Sequence, residues 1–176
     1  MGQYYKPCFL DKDKKEVKTW VYSHDYDSGL KLMEHSWFLN EFVGAVESQL
    51  IPGGKYHKTP IVWAGDYADE EEGTKINLYD KATDKNKLNP KGTVLDDTYR
   101  YIVNHDKKLY VDKTKIANND GWRIHPLPLL TCEGNGRGGG DYRGEEPIVG
   151  SWARDVISVE SEMPKDYDEI LFTCVE

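Results

Sequence analysis

One stretch of the chain carries its principal helical period, and it limits the possible folds more than any other feature. Leu39, Phe42, Val43, Val46 and Leu50 recur at helical spacing, which predicts a helix over residues 37–50, with Ser36 as its cap and Pro52-Gly53-Gly54 as its stop. The other apolar residues come mostly in runs of strand length. Residues 4–10 and 17–23 flank the charged turn Asp11-Lys12-Asp13-Lys14-Lys15 and predict an opening hairpin. Residues 60–64 form a short apolar run, and 99–104 with 108–111 predict a second hairpin around His105-Asp106-Lys107. Further strands are expected over 127–132, over 147–159 with an interruption near Gly150, and over 169–175. Residues 81–97 and 112–121 read as long surface loops. The sum is an α+β single domain spanning 1–176, a mainly antiparallel sheet with one principal helix packed on it.

Composition narrows the function classes. A chain of 176 residues supports one hydrophobic core, and no Pro/Gly/Ser linker divides it. With 31 acidic against 23 basic residues the net charge is −8, which opposes a long phosphate backbone, so nonspecific nucleic-acid binding is not expected. Neither a secretory h-region nor an apolar run long enough to span a bilayer occurs, which predicts a cytoplasmic protein with no membrane partner. Pro7 follows Lys6 where a myristoylation motif wants Ser or Thr. Cys8, Cys132 and Cys174 lack paired metal spacing and read as buried free thiols. No cofactor is specified, and a homo-oligomer is left open.

The candidate site is the stretch Gly134-Asn135-Gly136-Arg137-Gly138-Gly139-Gly140-Asp141-Tyr142-Arg143-Gly144, in which six of eleven residues are glycine. Glycine lets backbone N–H groups approach a ligand with no Cβ in the way, and arginine supplies a planar fork for phosphate or carboxylate. Gly134, Gly136 and Gly139 satisfy G-x-G-x-x-G, but Gly144 and Pro147 follow where a dinucleotide fold wants a helix. The expectation is therefore a loop for a small anionic ligand. Asp141, Glu145 and Glu146 add acceptors suited to ribose or sugar hydroxyls, or to a cation.

Three segments share an Asp-Tyr pair: Asp25-Tyr26 after His24, Asp66-Tyr67 after Gly65, and Asp141-Tyr142 after Gly140. Trp63 and Asp66, like Trp152 and Asp155, stand three apart. If these loops meet at one rim, Tyr26, Tyr67, Tyr142, Trp63 or Trp152 would stack on a base, Asp66 or Asp141 would accept from hydroxyls, and His24 would border the site. A hydrolase or transferase using Asp25, Asp66, Asp141 and His24 or His125 is the competing enzyme class, and a protein-interaction module the third. No G-x-S-x-G elbow and no recognised zinc spacing among His24, His35, His57, His105 and His125 is present.

The opening Met1-Gly2-Gln3-Tyr4-Tyr5-Lys6, with Gly29-Leu30-Lys31-Leu32-Met33-Glu34, Trp63-Ala64-Gly65-Asp66-Tyr67-Ala68-Asp69 and residues 134–142, resembles a group of small uncharacterised proteins of bacteria and their phages. The resemblance spans nearly the whole chain. It implies a shared fold, with a host-interaction or ligand-sequestering role, and carries over no catalytic set or cofactor.

Overall fold

The structure is a computed structural model that describes residues 3–95, 97–134 and 148–173. Within them the chain forms β1 (Tyr5–Leu10), β2 (Val17–Val21), α1 (Glu41–Leu50), β3 (Thr59–Gly65), α2 (Leu78–Lys81), β4 (Lys87–Leu88), β5 (Tyr101–Asn104), β6 (Leu109–Asp112), α3 (Pro126–Thr131), β7 (Cys132–Glu133), β8 (Val156–Glu160) and β9 (Asp168–Glu169). The strands make one mixed sheet in the order β4-β2-β1-β3-β8-β5-β6-β9, with β7 also paired to β3. Its longer pairings are antiparallel; the three parallel ones, β2 with β4, β3 with β7 and β6 with β9, each join two residues per strand.

Both predicted hairpins form, β1 against β2 and β5 against β6. Asp11 closes the first turn by accepting from the N–H groups of Lys15 and Glu16. The strand β3 sits at the centre, and after Thr59 each of its residues is buried, as expected of a strand covered on both faces. One edge of β3 carries β1; the other is shared, with Thr59 and Pro60 facing β8 and Trp63 and Ala64 facing β7. Side chains alternate across this layer. Tyr5, Phe9, Ile61 and Trp63 pack with Phe42, Val43, Val46 and Leu50 of α1 and with Leu127, Leu129 and Leu130 of α3. Cys8, Leu10, Val62 and Ala64 pack on the opposite side with Trp20, Leu78 and Ala82.

Four expectations need correction. The helix begins at Glu41, because Asn40 caps it by accepting from the Val43 N–H at 3.0 Å; Ser36 is buried upstream, and Leu39 is 71% exposed at φ 70°, outside the helix. The run 127–132 is mostly helical. Pro126 occupies the first turn, where its missing N–H costs nothing, and His125 Nδ1 accepts from the Leu127 N–H at 3.2 Å. The strand expected over 147–159 begins only at Val156, since Ile148 to Asp155 turn to carry Trp152 into the core. Of the closing strand only Asp168–Glu169 pairs among the described residues, and the short elements α2 and β4 had no periodic signal of their own.

Candidate functional site

Strand direction brings four of the segments singled out in the sequence to one end of the sheet. The start of β1 lies opposite the end of β3, with Tyr5 paired to Gly65, and β7 runs parallel to β3 so that its end lies at the same level. Tyr4 and Asp66 extend that pairing: the Asp66 N–H donates to the Tyr4 carbonyl at 2.9 Å, and the Tyr4 N–H donates to Asp66 Oδ1 at 3.0 Å. The Tyr5 N–H donates to the Leu30 carbonyl at 2.9 Å, which draws in residues 29–34. Gly134 enters beside them.

Two glycines make this junction possible by close approach. A Cβ on Gly65 would stand 2.7 Å from the Glu133 carbonyl oxygen, 3.1 Å from the Tyr5 ring and 3.2 Å from Gly134 Cα; one on Gly134 would meet the Gln3 side chain and the Tyr5 hydroxyl. Two of the three atoms around Gly65 are backbone, so Gly65→Ala should force β7 away from β3. We expect it to cost about 1–3 kcal/mol in urea unfolding, and an unchanged midpoint would mean that the strands tolerate the separation.

The sequence-predicted residues are placed unequally. Gly134 is half-buried at the rim, Asp66 is half-buried and engaged by Tyr4, and Tyr67 is 45% exposed, as is Tyr4 at 44%. His24 is exposed but bonded through Nδ1 to the Tyr22 hydroxyl at 2.8 Å. Tyr26 is half-buried, with its ring near Phe42 and its hydroxyl donating to the Pro90 carbonyl at 3.2 Å. Trp63 and Trp152 have essentially no exposed surface and offer no ring face to a base; Trp63 Nε1–H donates to His35 Nε2 at 3.0 Å inside the core. Asn135, Gly136, Arg137, Gly138, Gly139, Gly140, Asp141, Tyr142 and Arg143 lie outside the described residues, as does Cys174.

One neighbour of this junction stands between Trp152 and Asp155 in the sequence. Arg154, at φ 68°, donates to both carboxylate oxygens of Glu133 (2.8 and 2.5 Å) and of Glu71 (2.7 and 2.9 Å). Burial works against its charge, and the two carboxylates more than restore it. The same bonds hold the Glu71 carboxyl below its ordinary value. One guanidinium shared by two carboxylates leaves this cluster with a net charge of −1, so Arg154 reduces the negative field of Glu133 beside Gly134 without cancelling it.

The enzyme arrangement is not assembled among the described residues. Asp25 pairs with Lys87, Asp66 with the Tyr4 N–H, and His125 with Glu47 in the core. His105 Nε2 lies 2.7 Å from Ser158 Oγ, a serine–histidine contact, but Ser158 is fully buried and no substrate reaches it. No group of three or more His, Cys, Asp or Glu side chains among the described residues is placed to hold a metal. Cys8 and Cys132 are both buried, and burial pushes the Cys8 thiol up to about 12, far from a reactive thiolate.

Clefts formed by the described residues open elsewhere, three of them of similar size. One of about 430 Å³ lies between residues 111–124 and 169–173, a second of about 400 Å³ contains Trp37 and Trp122, and a third of about 430 Å³ borders Arg154 and Glu71. None of the three is lined by Gly134, Asp66, Tyr67, His24 or Tyr26. Among the described residues no helix is long and apolar enough to cross a membrane. No protein-family model, curated protein or solved structure matches the chain.

Proposed function

We propose that this chain is a cytoplasmic binding protein, with a sequestering role, for a small phosphorylated or nucleotide-like ligand held at the strand-end rim by the segment 134–144. The observation that supports this reading is the meeting of residues 3–6, 29–34, 63–69 and Gly134 at one end of the sheet, through the Tyr4–Asp66 and Tyr5–Leu30 hydrogen bonds and the Gly65–Gly134 contact. In this reading Arg137 and Arg143 pair with phosphate, Tyr67 or Tyr142 stacks on the base, and Asp66 or Asp141 accepts from hydroxyls. Tyr4 and Tyr67 are exposed at this end of the sheet, and Arg154, shared between Glu133 and Glu71, offsets part of the Glu133 charge. The buried free thiol of Cys8 suits a reducing compartment.

A binder needs no nucleophile, and the described histidines are all engaged with partners in the core or along the surface. The test is thermal unfolding with a panel of mono-, di- and cyclic nucleotides and sugar phosphates. A ligand at 100 times its Kd adds about 2.7 kcal/mol to stability, which is read as a rise of several degrees in Tm. Failure of the whole panel to move Tm at about 1 mM, which is 100 times a Kd of about 10 μM, would end this reading.

A further inference from the structure

The cleft around Trp37 and Trp122 is built by local rules and leaves one polar atom unanswered. Residues 36–38 run beside 123–125: the Phe38 N–H donates to the Arg123 carbonyl at 3.0 Å and the His125 N–H to the Ser36 carbonyl at 3.0 Å. Asn119 and Trp122 exchange both backbone hydrogen bonds at 2.9 Å around Asp120 and Gly121, whose φ values of 53° and 87° are those of a type I′ turn. This tight hairpin holds Trp122 against Trp37, with ring centroids 5.2 Å apart and planes inclined by 42°. Asn118 Oδ1 accepts from the Gly121 N–H at 2.8 Å and braces the turn.

The polar side of the cleft consists of Asp97, Asn118 and Arg123. Arg123 lies over the Phe38 ring at 3.8 Å, donates to the Lys113 carbonyl at 2.8 Å, and approaches Asp97 Oδ2 at 3.5 Å. Asp97 Oδ1 is shielded from solvent and has no hydrogen-bond partner, while the side chain as a whole keeps 34% of its surface exposed and lines the cleft. The lining holds one acid and one base, so it attracts neither an anion nor a cation by net charge.

We propose that this cleft binds a neutral sugar ring. A pyranose has one apolar C–H face to lie on an exposed indole and hydroxyls at its edge that both donate and accept. Such a ring donates to the exposed part of the Asp97 carboxylate while accepting from Asn118 or Arg123. With centroids 5.2 Å apart the two indoles pack on each other and leave no slot between them, so a ligand ring lies on an exposed face of the pair. A volume of about 400 Å³ suits one or two such rings.

The test uses the whole chain with methyl pyranosides and disaccharides of the glucose, galactose, mannose and N-acetylglucosamine series, followed by saturation-transfer NMR and tryptophan fluorescence. At least one is expected to bind with a Kd of about 1 mM or tighter, and Trp122→Ala and Asp97→Asn each to weaken it about tenfold or more. Asp97→Asn keeps the shape of the side chain and serves as the decisive variant should Trp122→Ala fold poorly. Replacing Arg137 and Arg143 should leave sugar binding unchanged, which separates this site from the rim. Three results overturn the proposal: no sugar binds at about 20 mM, well above the expected Kd; binding survives Asp97→Asn unchanged; or unphosphorylated nucleosides bind in a Trp122-dependent way while sugars do not.

Discussion

Replacing Glu47 by leucine is expected to destabilise the protein by about 3–5 kcal/mol, because it leaves a buried ammonium without its counter-ion. Glu47 on α1, Lys113 after β6 and His125 before α3 are each buried to 3% exposure or less. Lys113 Nζ donates to Glu47 Oε2 at 2.7 Å and His125 Nε2 donates to Oε1 at 2.8 Å, with the His125 proton fixed on Nε2 because Nδ1 accepts from Leu127. Burial alone would raise the Glu47 carboxyl, but His125 and Lys113 together hold it below its ordinary value. Removing both charges should cost much less than removing one. The double variant Glu47→Leu with Lys113→Met is therefore expected to recover much of the loss in urea unfolding, leaving mainly the unanswered His125 N–H. A double variant as unstable as Glu47→Leu alone would show that shape, not charge, dominates at this junction.

Mild acid should remove a comparable amount of stability before the surface carboxylates titrate. Burial drives the His35 pKa from 6.5 down to about 4, with the hydrogen bond to the Gly29 carbonyl opposing it. A histidine whose folded pKa is depressed contributes stability that is complete above its unfolded pKa and is lost as the pH falls toward the folded value. Between pH 6.5 and about 4 the loss approaches 1.4 kcal/mol per pH unit, on the order of 3 kcal/mol in all. His105, also lowered mainly by burial, adds a loss of the same sign, and Glu47 adds its own at lower pH. The chemistry of the His35 step is local. Nδ1 already donates to Gly29, so the added proton goes to Nε2 and displaces the Trp63 indole N–H that donates there. Urea unfolding at a series of pH values should give a flat plateau above pH 6.5 and a falling limb below it. A plateau extending to pH 4.5 would contradict the buried neutral His35.

How much was legible in the sequence follows from how far each signal reaches. The hairpins β1–β2 and β5–β6 declare themselves through alternation and a charged turn, and α1 through its period, since these are local effects. The identity of α3 was hidden because Pro126-Leu127-Pro128-Leu129-Leu130 is uniformly apolar, and such a run suits a buried strand or a buried helix equally. The turn at Asp120-Gly121 was legible from its dipeptide but passed as loop, which concealed the Trp37–Trp122 cleft. The candidate rim was half legible. Gly65, just before Asp66 and Tyr67, does approach Gly134, but the tryptophan of the same motif points into the core, because β3 is covered on both faces and Trp63 alternates toward α1. Pairing of Arg154 with Glu71 and Glu133, 83 and 21 residues away, is set by topology and has no local signature.

The central claim, that the segment starting at Gly134 captures a phosphorylated ligand at the strand-end rim, is tested most directly by calorimetric titration of the best ligand from the nucleotide and sugar-phosphate panel into wild type, Arg137→Ala, Arg143→Ala and the double variant. Each single replacement should weaken binding by about 1.5–3 kcal/mol, roughly ten- to a hundredfold in Kd, while unfolding midpoints stay close to that of wild type. Equal affinity in wild type and the double variant would remove the glycine-rich segment from the site and contradict the account.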